Sequence, residues 1–323
     1  MTTETTGVMD MAGLRHELYT YSGEEQFLAG VRSFIDDALA AGEIVLISVP
    51  EDRERMLREE LPGTDPGVVF MDTEALGRNP ARLIPAWQRW IGERTAEGRP
   101  VRGIGETDWH ARGGAEIEEL RYHEWLLNLA FTGSPAWWLL CPYDTATIDP
   151  ETMRAISRCH PYTLTDDGSR PSSDYVREPF SWAELEPACD PYEEFPYARG
   201  DLAAVREKVI ACAAPHGLTG DRLRETLVAV TEVAGNSIAH GGGHGTLRTW
   251  VQQGSLICEF RDAGVMSDPM IGRMAPSPRS LRGRGMWLVH QICDLVQIRS
   301  APETGTIIRL HVTLPGVLPG ALP

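Results

Sequence analysis

The chain has 323 residues, of which 42% are hydrophobic and 24% charged, with a formal net charge of −16. This is globular composition at a length that calls for two domains, each with its own core. The acidic balance offers no cationic footprint for a phosphate backbone, which excludes direct DNA binding as the expected mode. Lys208 is the only lysine, so a P-loop, whose motif requires GK[ST], is excluded as well.

The cysteines, Cys141, Cys159, Cys189, Cys212, Cys258 and Cys293, form no CxxC pair, so neither a disulfide framework nor a zinc knuckle is indicated and a reducing cytoplasm is expected. Met1 to Asp10 is polar and acidic, and no apolar run is long enough to span a bilayer. The expected protein is cytoplasmic, neither exported nor membrane-embedded.

In chain order, Ser22 and Glu25 have the spacing of a capping box, ahead of an apolar stripe of Phe27, Val31, Phe34, Ile35 and Leu39. Residues 43–49 form a nearly continuous aliphatic run, the pattern of a strand covered on both faces. A charged helix ends near Leu61, and residues 68–71 read as a strand. Asn79-Pro80 reads as an N-cap with a first-turn proline. A strand over 101–106, a helix over 115–131 and a strand over 136–141 follow. This alternation predicts an N-terminal α/β domain with a mostly parallel sheet, over residues 10–165. Trp87, Trp90, Trp109, Trp125, Trp137 and Trp138 are expected in its core. Residues 166–195 are rich in Pro, Ser and acidic side chains, which is linker composition, with Tyr175, Phe180, Trp182 and Tyr192 pinning the segment to a surface.

The remainder, residues 196–316, has a different grammar. Leu202, Val205 and Val209 mark one amphipathic helix and residues 221–240 a second. On the second, Glu232, Asn236 and His240 recur every four residues and share one face, turned to water or to a ligand. The helix ends in His240-Gly-Gly-Gly-His-Gly245. Strands over 247–251 and 256–261 then deliver Asp262-Ala-Gly264. Gly283-Arg-Gly285-Met286 opens an apolar helix, where bare backbone N–H groups at a positive helix end can hold phosphate. Strands over 296–300 and 306–312 close the segment.

Taken in order, these segments resemble the N, G1, G2 and final boxes of the Bergerat (GHKL) ATP-binding fold, an α/β sandwich. The resemblance implies ATP or ADP with Mg²⁺ as cofactor. It implies Asn236 as the Mg²⁺ ligand, Asp262 as acceptor for the adenine amino group, and Gly264 as the point of close approach to the base. It places Gly283 and Gly285 at the phosphates, makes residues 265–282 a mobile lid, and sets Thr306 at the adenine end. Arg282 or Arg284 would offset phosphate charge, and His240 and Met286 complete the implied nucleotide-binding set. Glu232 matches the family's general base; otherwise it is a helix-surface glutamate.

The compact form, with GGGHG, GRGMWLV and an Ile-Cys-Asp-Leu-Val segment, resembles the kinase-like anti-sigma factors of RsbA type in actinobacteria. That resemblance implies a regulator that sequesters a sigma factor or phosphorylates a serine of a STAS-type anti-anti-sigma protein, and that dimerises through the ATPase domain. A sensor histidine kinase or a non-catalytic nucleotide-binding scaffold is the alternative, although His123-Glu124 does not sit in a phosphoacceptor hairpin. The first half resembles the MEDS sensory domain through His16-Glu-Leu-Tyr19, Gly42-Glu-Ile-Val-Leu46, Gly105-Glu106, His123-Glu-Trp125 with Asn128, Cys141-Pro-Tyr-Asp144 and Cys159-His-Pro161. This implies a small-molecule or redox signal. Cys141, Cys159 and His160 supply ligands for a redox or metal site, or simply pack.

Overall fold

The structure, a computed structural model, describes residues 13–61, 66–72, 76, 79–109, 112–165, 167–277 and 283–316. The chain divides into two interleaved compact units. The first comprises residues 1–73, 88–110 and 124–178, and the second comprises residues 74–87, 111–123 and 179–323.

The first unit holds a seven-stranded sheet. Its strands are β1 (Leu14–Tyr21), β2 (Ile44–Ser48), β3 (Val68–Phe70), β4 (Val101–Gly105), β5 (Trp137–Asp144), β6 (Tyr162–Thr165) and β7 (Gly168–Pro171), in the order β3-β2-β4-β5-β1-β6-β7. All pairings are parallel except β6 with β7. The aliphatic run becomes β2, buried at every residue because chain lies against both of its faces. Helix α1 (Glu24–Ala40) buries Phe27, Val31, Phe34, Ile35 and Ala38, a stripe at helical period, against Val45, Ile47, Ile104 and Leu140. Helix α2 (Glu51–Glu60) contributes Leu57 to the same core.

Two local expectations change. The capping box does not form: α1 begins after Gly23, whose φ of 81° only glycine adopts freely, and the Ser22 N–H donates to the Gln26 side chain. The segment before α1, with its polar His16 and Glu17, carries no apolar run, yet it is β1, paired on both sides. Of the tryptophans, Trp87, Trp109 and Trp137 are buried, whereas Trp90, Trp125 and Trp138 are half-buried.

The second unit holds an antiparallel sheet of β8 (Glu193–Ala198), β9 (His244–Gln252), β10 (Ser255–Asp262), β11 (Leu295–Ala301) and β12 (Gly305–Thr313), in the order β11-β12-β10-β9-β8. The α/β sandwich arises because alternate residues of each strand face the helices. Leu256, Cys258 and Phe260 of β10, and Ile308, Leu310 and Val312 of β12, pack with Val205 and Val209 of one helix and Val230 and Val233 of the next. Two further helices, α3 (Leu83–Ala96) and α4 (Gly114–Ala130), straddle the division, and α5 (Pro150–Ser157) lies in the first unit. The sheet is covered by α6 (Leu202–Ala213), α7 (Gly220–His240) and α8 (Arg284–Ile292).

The residues between the alternations are polar and still buried. Glu259 accepts hydrogen bonds from Arg261 at 2.7 Å and Arg309 at 2.5 Å. Over them runs the segment read as linker: Arg309 donates to the Glu186 carbonyl at 2.9 Å, and Trp182 lies 3.7 Å from the Arg299 guanidinium. Phe180 and Trp182 both pack on Tyr122, with ring centroids 5.1 and 4.1 Å away. Phe180 and Trp182 therefore pin the segment down, whereas Tyr192, expected with them, is exposed.

Residues 74–87 and 111–123 also do specific work here. Asn79 caps the turn of Pro80–Arg82 through the Ala81 N–H, as the Asn-Pro pair suggested, and its amide donates to the carbonyls of His290 and Cys293 at the end of α8. Glu119, fully buried, accepts from Arg273 at 2.6 Å and Arg299 at 3.1 Å. Removing one partner of such a group leaves the others charged and dry, which costs about 3–5 kcal/mol. Glu119→Ala in the full chain is thus expected to lower the denaturation midpoint of the second unit and to expose the 265–277 segment to protease. An unchanged midpoint and cleavage pattern would show that the two arginines find other partners.

Candidate functional site

Half-buried Glu232 and Asn236 and exposed His240 lie at successive turns of one face of α7. The first turn of α8 comes down on that face. A Cβ placed on Gly285 would lie 2.5 Å from Glu232 Oε2 and 3.8 Å from Asn236 Nδ2, so a side chain there would displace the Glu232 carboxylate. The Glu232 carboxylate is therefore held against the positive end of α8, where unsatisfied N–H groups favour an anion. Gly283, at φ 81°, is the N-cap of that helix. Exposed Arg284 follows it, and Arg282 lies outside the described residues. Met286 departs from the expected set: its side chain is 4% exposed and belongs to the core, which leaves its backbone N–H in the first helical turn.

Next to Asn236 on α7, Ser237 turns to the sheet and donates to Asp262 Oδ2 at 2.5 Å, while Gly264 N–H donates to Oδ1 at 2.8 Å. Each oxygen of a carboxylate can accept a second bond, so Asp262 is oriented without being saturated. A Cβ on Gly241 would strike the Asp262 carboxyl carbon at 2.3 Å, and one on Gly264 would meet the His240 carbonyl at 2.8 Å. Close approach at Gly264 thus involves the protein's own helix end, a role its motif position did not disclose. Thr306, paired with Asp262 across the sheet, donates to the Gly264 carbonyl at 2.8 Å and shares a hydrogen bond with Ser300. Ser300 in turn receives Met266 N–H. Neither Ser237 nor Ser300 was singled out by the motifs, although Ser237 follows Asn236 directly.

Between these groups the arrangement offers an oriented acid for an amino-bearing base, a helix N-terminus for phosphates, and oxygen ligands on Asn236 and Glu232. Hard oxygen donors suit Mg²⁺, which keeps much of its water and takes few protein ligands.

The first unit presents two further features. At the carboxyl ends of β1, β4 and β5, a cavity of about 250 Å³ is lined by Tyr21, Arg53, Glu106, Trp109, Tyr143 and Asp144. That edge is where open parallel sheets receive ligands. Tyr21 donates to Glu106 Oε1 at 2.6 Å, and Arg53 lies 3.9 Å from Glu106 and 3.5 Å from Asp144. Burial raises the Glu106 pKa to about 7 against the pull of Tyr21 and Arg53, with Asp52 and Asp144 adding to the rise.

Beneath the strands, His16, Glu124, Cys141 and His160 bring one ligand atom each to within 4.8 Å of one another. Cys159, expected with Cys141 and His160, is not among them; its thiol donates to the Ala155 carbonyl instead. Burial draws the imidazoles down to about 4 at His16 and about 3 at His160, so both are neutral at neutral pH.

Comparison with protein families matches residues 15–161 to MEDS, the methanogen/methylotroph, DcmR sensory domain, and residues 195–312 to the histidine kinase-like ATPase domain. The chain carries a MEDS domain at its N-terminus and a GHKL-type ATPase domain at its C-terminus, the order that the RsbA-type resemblance implies. Among solved structures, Acinetobacter baumannii histidine kinase AdeS is similar at 18% identity, covering 39% of this chain and 68% of that one with a TM-score of 0.24. A comparison with curated proteins gives no match. No helix among the described residues is long and apolar enough to cross a membrane.

The Glu106 pKa gives a signed expectation. Raised from 4.5 to about 7 in the fold, the group stabilises fully below pH 4.5, and that contribution fades as pH rises through 7. Over this window the loss is on the order of 3 kcal/mol. Relative to Glu106→Gln, which stays neutral, wild-type protein should lose thermal stability between pH 4.5 and 7. Parallel melting-temperature curves for the two proteins would contradict the assignment.

Proposed function

We propose that this chain is a cytoplasmic partner-switching regulator whose ATPase domain binds Mg-ATP and Mg-ADP, sequesters a sigma factor, and phosphorylates a serine of a STAS-type antagonist. In this reading the MEDS domain controls that switch, with the cavity at Glu106 and Asp144 as its small-molecule site. The supporting observation is that one helix, α7, carries both groups: Glu232 and Asn236 lie against Gly285 at the start of α8, and Ser237 and the His240 carbonyl meet Asp262 and Gly264. Asp262 would accept from the adenine amino group. The amides of residues 283–286 would face the phosphates, with Arg284 offsetting their charge and exposed His240 at the mouth. Asn236 would hold the Mg²⁺, which when bound neutralises phosphate charge. Glu232, beside Asn236, would take the proton of the attacking serine hydroxyl. The acceptor of a histidine kinase is less well supported, because His123 is only 4% exposed. Homodimerisation through the ATPase domain completes the proposal.

Calorimetry on the full chain should show heat on adding Mg-ATP or Mg-ADP. Asp262→Asn should weaken both nucleotides, and Asn236→Ala should weaken mainly the Mg²⁺-dependent part. Absence of heat with wild-type protein at millimolar nucleotide would remove the basis of the proposal.

General-base contributions are typically about 10²–10⁴-fold. Glu232→Gln should therefore cut transfer of phosphate to a cognate antagonist by that factor while nucleotide and sigma-factor affinity stay within a few fold. Wild-type transfer rates in the variant would make Glu232 a capping anion for α8 and nothing more.

A further inference from the structure

The four-residue cluster in the first unit is built from elements distant in sequence. His16 lies on β1 and Cys141 on the adjacent β5, where Cys141 is in register with Leu18, two residues from His16 and on the same face. Glu124 comes from α4, and His160 from the turn between α5 and β6. The four are 0–5% exposed.

The hydrogen bonds around the cluster fix which atoms face its centre. Asn128 donates its amide N–H to the Cys159 carbonyl at 2.8 Å, which turns its Oδ1 toward His16 Nδ1, 3.3 Å away. His160 Nδ1 lies 2.8 Å from the Ile156 carbonyl. An acceptor at each Nδ1 places the proton there and leaves a lone pair at each Nε2. Both Nε2 atoms lie close to one carboxylate oxygen: Glu124 Oε2 is 3.4 Å from His16 Nε2 and 3.6 Å from His160 Nε2. Cys141 Sγ is 3.4 Å from His16 Nε2. Glu124 Oε2 and His160 Nε2 are buried without a hydrogen-bond partner. Acceptors facing one another in a dry interior are costly unless something positive lies between them.

We propose that His16, Glu124, Cys141 and His160 bind a single zinc-like divalent transition-metal ion. The three distances above agree with this, since ligand atoms 2.0–2.3 Å from a tetrahedral centre stand about 3.3–3.6 Å apart, and every other pair, within 4.8 Å, needs at most a small inward shift. Two imidazoles, a carboxylate and a thiolate suit Zn²⁺ and exclude Mg²⁺ or Ca²⁺, which take oxygen ligands. Four protein ligands with no accessible coordination position describe a closed site, which ties β1, β5, α4 and the turn at His160 together. On binding, Cys141 loses its thiol proton to solvent, as a thiolate ligand must. The inference is independent of the partner-switching proposal, since it concerns neither nucleotide nor partner.

The test uses the full chain, stripped with chelator under reducing conditions and then titrated with Zn²⁺ or with Co²⁺ as a spectroscopic stand-in. The expected results are about one Zn²⁺ per chain by elemental analysis, the visible bands of four-coordinate cobalt, and a thiolate-to-cobalt charge-transfer band in the near-ultraviolet. Cys141→Ser should abolish the charge-transfer band, Cys159→Ser should retain it, and Asn128→Ala, which releases the His16 ring, should weaken affinity about 10–100-fold. Wild-type protein that takes up neither metal overturns the site. A charge-transfer band that survives Cys141→Ser or disappears with Cys159→Ser overturns the ligand assignment. Because wild-type uptake and spectrum decide the first question, a variant that fails to fold does not shelter the proposal.

Discussion

The second unit depends on one steric constraint: α7 and the end of β10 meet at distances that admit no side chain at Gly241 or Gly264, and the start of α8 lies so near α7 that one at Gly285 would displace the Glu232 carboxylate. The nearest atoms to a hypothetical Cβ are the Asp262 carboxyl group, the His240 carbonyl and the Glu232 carboxylate, all between 2.3 and 2.8 Å. Even modest overpacking costs about 1–3 kcal/mol, and here the displaced atoms are the polar groups of the site. Gly241 and Gly264 let the end of β10 reach α7, and Gly285 leaves room for the Glu232 carboxylate. The remainder of the unit, an apolar layer of strand and helix residues, fixes the elements so that this approach is maintained.

Legibility in the sequence followed this physics unevenly. Elements whose burial is apolar and periodic could be read directly: β2 from its continuous aliphatic run, α1 from its helical stripe, and α7 from its length and its polar row. β1 could not, because its inward-facing residues include His16 and Glu17, whose burial depends on partners elsewhere in the chain. The same limit hid the cover on the second face of the antiparallel sheet. Nothing local to Ala183 or Glu186 announces that their carbonyls receive Arg299 and Arg309. In the candidate site of the second unit, spacing singles out the motif residues, while Ser237, Ser300 and Gly241 became visible only when tertiary contacts joined segments far apart in sequence.

The interleaving of the two units has a similar origin. Residues 74–87 and 111–123 read as parts of the first domain's strand and helix alternation, yet they group with the second. Their contributions are polar and specific: Asn79 and Arg82 donate to the carbonyls at the end of α8, and Glu119 accepts from two arginines. Hydrophobic pattern reports which face of an element is buried, but not which core it joins. A linker assignment drawn from composition alone therefore cannot say which segments a separated ATPase domain would need.

Three buried carboxylates show how differently such a group can be accommodated. Burial opposes ionisation of Glu259, but hydrogen bonds from Arg261 and Arg309 hold its pKa below the usual carboxylate value. Glu119 is likewise enclosed by Arg273 and Arg299. Glu124, 5% exposed, faces two neutral imidazoles, a thiol and the Tyr143 hydroxyl, none of which brings a positive charge. Arginine is abundant in this chain and serves as the counter-ion at the first two sites. At the third, the surrounding Asn128 and Ile156 groups instead orient both rings, and both Nε2 atoms lie close to the Glu124 carboxylate. An acidic side chain satisfied only internally would gain nothing from that orientation, whereas a cation brought in from solution would complete it.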